Sequence, residues 1–207
     1  MEERLENITF EGLVSQIERT NDALRNNARL VINRHVTAKA WLTGYYIVVY
    51  EQNGSDRAKY GERLLQNLAK RLGNQYALST LKLYRLFYLT YPQLGSVISD
   101  FLIHLPIGQS VISQLDSKDS NAVTIRQSLI AQFDGVKPEM LFNRLYFTHF
   151  AAILPCKDPL QRAFYETMDI RGTWSVRELQ RQIDSNYYVR SGWSKKPDKL
   201  AEHVDGK

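Results

Sequence analysis

The chain has 207 residues, 43% hydrophobic and 24% charged, a balance that excludes a disordered chain and allows one large or two small domains with a real core. Its net charge of +5 is too modest to imply an anionic partner unless the charge is clustered. The single cysteine, Cys156, rules out an internal disulfide, and no paired Cys/His spacing suggests zinc, so a reducing compartment is expected.

The N-terminus, MEERLENITF, is acidic and lacks the basic-then-apolar plan of a signal peptide. No apolar run approaches the ~18–20 residues of a membrane span; the longest candidate, Gly44 to Tyr50, is far too short. The expectation is a cytoplasmic protein without membrane contact.

From Phe10, apolar residues fall at Leu13, Ile17, Leu24, Ala28, Val31 and Ile32, the spacing of one helical face. This predicts a long helix from about Phe10 to Arg34, with Thr9 able to cap its start. The denser run from His35 to Gln52 reads as a separate, buried helix, although IVVY is β-prone in isolation. Asn53-Gly54-Ser55-Asp56 is a break.

Tyr60, Leu64, Leu65, Leu68 and Leu72 give a short amphipathic helix that stops at Gly73-Asn74. Leu81, Tyr84, Phe87, Tyr88 and Tyr91 mark the next helix, stopped by Pro92. Two helices joined by a short Gly-containing turn have the helix-turn-helix outline. The four aromatics could stack bases, but at helical spacing they read better as core.

Leu94 to Leu105 reads as helix, then patterned segments at 107–114 and 122–133 flank a polar loop, with room for a small β-hairpin near 103–125. Pro138 can open a helix that carries Met140, Leu141, Leu145, Phe147 and Phe150. Leu160 to Ile170 is a further helix. Thr173 or Ser175 caps the next, Val176 to Tyr188, on which Glu178 can pair with Arg181 or Gln182 one turn on. The tail from Arg190 is basic and polar. The expected fold class is all-α. The expected parts are 1–92, 93–136 (a divergent linker or insertion), 137–191 and a tail, 192–207.

Charge is segregated along this order. Between Arg57 and Tyr91 seven cations face Glu62 alone, a net +6. Between Arg171 and Lys199 seven face three acids, a net +4, and the rest is net acidic. The expected nucleic-acid face holds Lys59, Arg63, Lys70 and Arg71 on phosphates, with Ser79, Thr80, Lys82 and Arg85 near the groove. The bland alternative is a helical hairpin with a solvated basic face. His35, His104, His149 and His203 are scattered singly, so no metal site is expected; His149, within FTHFAA, reads as a core or capping residue. Cys156 has no nearby His to make a catalytic pair, and no cofactor is expected.

Three stretches, YGERLLQNLAKRLGNQYALSTLKLYRLFYLTYP (60–92), FTHFAAILPCKDPLQRAFY (147–165) and WSVRELQRQIDSNYYVRS (174–191), together resemble the N-terminal domain of the YhcG-like nuclease family. The third is the most specific. The resemblance covers roughly residues 10–195, with 103–136 matching poorly. It implies a non-catalytic module that precedes a nuclease domain of the PD-(D/E)xK type, binds nucleic acid (DNA before RNA) and targets a nuclease in cis or in trans. Two positions depart from the family pattern. Ser79 and Thr80 stand where a basic residue and Asn are usual, and Ala77 stands where a hydroxyl usually caps the helix. This disfavours strong base reading. The family's chemistry needs an Asp and an Asp/Glu-x-Lys that hold a divalent metal; Pro197-Asp198 has no acidic-x-Lys after it, so no catalytic residue is expected in this chain. The competing reading is a protein-interaction or oligomerisation module, because the long N-terminal helices offer a surface for a homodimer or a partner nuclease domain.

Overall fold

Helical periodicity governs the backbone throughout residues 10–53, 63–105 and 136–193, the parts of the chain described by the structure, a computed structural model. Among these residues there are nine α-helices and no strand, so the fold is all-α. The Thr9 cap, Lys59 and the tail beyond Trp193 lie outside the described residues, as does the hairpin expected near 103–125 except for residues 103–105, which are a helix end and a turn rather than strand.

The two helices expected over 10–34 and 35–52 are one: α1, Phe10–Asn53, runs 44 residues without interruption. Nothing between Arg34 and His35 can stop it, since neither Pro nor a Gly cap occurs there. The IVVY stretch stays helical because Ile47 and Val48 are buried, and tertiary packing overrides a β-propensity worth about 1 kcal/mol.

After α1 come α2 (Leu64–Leu72), a single 3-10 turn (Asn74–Tyr76), α3 (Leu78–Thr90) and α4 (Leu94–Ile103). Then come α5 (Pro138–Arg144), α6 (Phe147–Ile153), α7 (Pro159–Gly172), α8 (Val176–Asp184) and α9 (Tyr187–Arg190). The single helix expected from Pro138 past Phe150 divides into α5 and α6 at Leu145, whose backbone is extended. The helix expected to Tyr188 divides at Asn186, which is left-handed at φ 52°. Ser175 is the cap of α8, its Oγ accepting from the Glu178 N–H at 3.3 Å, while Thr173 ends α7 in a left-handed conformation.

α3 packs most extensively on the C-terminal half of α1. A Cβ on Gly44 would overlap the Tyr84 carbonyl, so glycine is what lets these two backbones touch. The main core sits around this pair: Trp41, Phe87, Tyr88, Leu94, Leu141 and Phe150 are buried together. Each such side chain contributes about 1.5–3 kcal/mol by leaving water. The Trp41 indole N–H donates to the Tyr91 carbonyl at 2.8 Å, which satisfies one of the carbonyls left free where α3 ends. A second cluster (Ile153, Phe164, Tyr165, Leu179 and Tyr188) joins α6 to α9. The two are linked where the Tyr91 hydroxyl donates to Glu166 Oε1 at 2.7 Å.

Candidate nucleic-acid interface

The turn between α2 and α3 is built by Gly73. Its φ of 76° and ψ of −166° lie in a region essentially open to glycine alone. Its N–H donates to the Ala69 carbonyl at 3.1 Å and closes α2. Ala77 precedes α3 with no side-chain cap, as its missing hydroxyl requires.

Exposed cations flank this turn on both helices, and one from α1 reaches it. Lys70 and Arg71 end α2 and are exposed. Lys82 is exposed one turn into α3. Lys39 of α1, also exposed, places its ammonium 4.9 Å from the centre of the Tyr76 ring in the turn, a cation–π distance. Sequence reading missed Lys39, because it lies outside the two windows of clustered charge and only folding sets α1 beside the turn. Arg63 is exposed at the far end of α2.

The solvent-facing strip of α3 is narrow. Ser79 and Lys82 are exposed and Thr80 is half-buried. Leu81, Tyr84, Phe87 and Tyr88 face the core, so the aromatic set is packing and not a stacking platform. Arg85 is committed inward: its Nε donates to Glu51 at 2.8 and 3.0 Å. Glu51 lies outside the 57–91 window, so the sequence tally counted Arg85 as an unopposed charge.

Behind Arg71 an apolar cleft of about 490 Å³ opens between α1 and α2, lined by Tyr46, Tyr50, Leu68, Tyr76 and Leu81 among others. A second, more polar cleft of about 620 Å³ includes Arg34, Arg144, His149, Asp169 and Trp174. His149 is buried there. Its Nδ1 accepts the Tyr146 N–H at 3.2 Å and its Nε2 meets the Trp174 carbonyl at 3.2 Å. Both nitrogens are engaged by backbone, which fits one neutral tautomer, with the proton on Nε2. Burial accordingly holds the His149 pKa below its usual value. Asp169 Oδ2 stands 4.0 Å from Nε2, beyond a hydrogen bond, and has no partner. Burial raises the Asp169 carboxyl to about 7. With its nitrogens already committed, His149 is a capping residue and not a general base. Cys156 is buried, and burial pushes its thiol up, opposite to what a nucleophile needs. Among the described residues no cluster of three or more His, Cys, Asp or Glu could hold a metal, and no helix is long and apolar enough to cross a membrane.

The geometry defines an all-α domain with a glycine-built helical corner between α2 and α3. A family model for the DUF1016 N-terminal domain matches residues 16–190, and the chain belongs to that family. It is 30% identical over 178 residues to a curated protein of Escherichia coli (strain K12) named "Putative nuclease YhcG". That match takes in 82% of this chain but spans only 43% of the relative's length. No solved structure matches the chain.

Proposed function

We propose that this domain is a non-catalytic nucleic-acid-binding module, for DNA before RNA, that positions a YhcG-like nuclease activity in cis or in trans. The observation that supports the reading is the exposure of Lys70, Arg71 and Lys82 on the helices flanking the α2–α3 turn, with Lys39 of α1 over Tyr76 in that turn. A helix-turn-helix use of that corner would place the start of α3 toward the groove. Ser79 and Thr80 are short there, so phosphate contacts dominate and sequence preference is weak. The likeness to a protein named as a nuclease supports the setting, and the active chemistry then belongs to residues outside this chain. No metal-dependent cleavage by this chain is expected.

The test is fluorescence anisotropy on a short duplex DNA and on RNA of the same sequence, across a salt series, with the 207-residue chain. Replacing Lys70, Arg71 and Lys82 with Ala should weaken binding and flatten the salt dependence by about 0.9 in log–log slope per lost phosphate contact. No binding at low salt, or equal binding by the triple variant, would overturn the reading in favour of an interaction module. That second reading has its own support in the exposed apolar stripe of α1.

A further inference from the structure

The N-terminal half of α1 stands nearly bare. From Phe10 to Arg29 no residue is buried, and all but the half-buried Gly12 and Ser15 are exposed. Yet it carries a seven-residue repeat: Phe10 is 77% exposed, Ile17 60%, Leu24 65% and Val31 41%. Val14, Asn21 and Ala28 fall four residues after the first three. These are the alternating three- and four-residue steps of a two-helix seam. A solvated helix of this length gains little from its own hydrogen bonds and depends on packing for its order.

Charge along the arm identifies what covers it. Residues 10–22 hold Glu11, Glu18 and Asp22 against Arg19, whereas residues 23–34 hold Arg25, Arg29 and Arg34 with no acid. The arm is negative toward Phe10 and positive at its base. A parallel copy would set like charge against like; an antiparallel copy sets each half against its complement. We propose that α1 pairs antiparallel with α1 of a second copy of this chain.

The register follows from the repeat. Ile17 of one copy packs against Ala28 of the other, Val14 against Val31, and Asn21 against Leu24, each layer occurring twice. Glu18 and Arg25, one residue beyond the seam positions Ile17 and Leu24, then face Arg25 and Glu18 of the other copy across the two-fold axis. In a parallel pair their neighbours would be the uncharged Leu13 and Thr20. Phe10 reaches the base of the partner's arm, where Ile32 and Val36 are also exposed apolar residues. This pairing does not rest on the nucleic-acid reading and is tested without nucleic acid.

Sedimentation equilibrium of the full chain should show a dimer at about 100 µM or below. Leu24→Glu, at an exposed site, should yield a folded monomer by circular dichroism. Glu18→Arg and Arg25→Glu should each weaken the dimer about tenfold through two lost pairs, and the double exchange should restore it to within about threefold. Oxidising a mixture of Asn21→Cys and Leu24→Cys chains should crosslink one variant to the other, with buried Cys156 left in place. A monomeric wild type, a dimer indifferent to Leu24→Glu, charge reversals without effect, or crosslinking of Leu24→Cys to itself alone would each overturn the proposal.

Discussion

Arg85 and Glu51 hold α3 against the end of α1 through a two-contact ion pair, Nε to Oε2 at 2.8 Å and Nε to Oε1 at 3.0 Å. Both side chains are about one-third exposed (38% and 30%), so the pair is partly screened and worth no more than about 1 kcal/mol. Its consequence for function is larger, because it removes one cation from the set available to phosphate.

Arg85→Ala should therefore change the salt dependence of DNA binding less than Lys70→Ala or Lys82→Ala. Glu51→Gln should strengthen binding modestly by freeing the guanidinium. Anisotropy titrations at two salt concentrations measure both. A loss on Arg85→Ala as large as that on Lys82→Ala would mean that the pair opens when nucleic acid binds.

Asp169 should make stability depend on pH. Its carboxyl stays protonated in the fold up to about pH 7, raised by burial from 3.8. The unfolded chain therefore ionises first as pH rises from about 4. Folding then loses stability between about pH 4 and 7, by something on the order of 4 kcal/mol at 1.36 kcal/mol per unit. Asp169→Asn should raise the urea midpoint at pH 8 relative to wild type and bring little gain at pH 4.5. His149 works in the opposite direction: its lowered pKa costs stability as pH falls below about 6.5.

Gly44→Ala should be severely destabilising although alanine favours helix by up to about 1 kcal/mol. The added methyl would meet the Tyr84 carbonyl, a backbone atom that cannot rotate away. The cost should be about 1–3 kcal/mol or more, read by chemical denaturation. Gly73→Ala meets no atom within 4 Å, but its backbone angles cost about 1–3 kcal/mol. That loss should fall on the α2–α3 turn, so DNA affinity should drop more than global stability does.

Tyr91→Phe should cost about 1–3 kcal/mol, since it leaves buried Glu166 without the hydroxyl that donates to Oε1. Glu166→Gln retains a carbonyl acceptor and should be much milder. Thermal melts of the two variants check the order, and equal losses would show that the carboxylate charge itself matters.

The helical class was legible from periodicity alone. Leu81, Tyr84, Phe87, Tyr88 and Tyr91 repeat at helical spacing because one face must leave water, and four of them form the buried face of α3 while Tyr91 is buried at its end. Punctuation was legible wherever it had a local cause: Gly73 stops α2, Pro138 opens α5 and Ser175 caps α8. The charged face of α8 was readable too, with Glu178 bonded to Arg181 and Gln182 one turn on. What local pattern could not supply was continuity and neighbourhood. No local signal distinguishes two abutting helices from one, and α1 is unbroken because its C-terminal half packs on α3. The break at Leu145 has no stop residue in the sequence, whereas Asn186 takes the left-handed conformation that Asn tolerates at a helix end. The charge tally along the chain could name Lys70, Arg71 and Lys82 as cations, but could not set Lys39 beside Tyr76 or Glu51 beside Arg85. Those pairs are 37 and 34 residues apart in sequence. Electrostatic interaction depends on distance through space, and only the tertiary packing of α1 against the α2–α3 corner sets that distance.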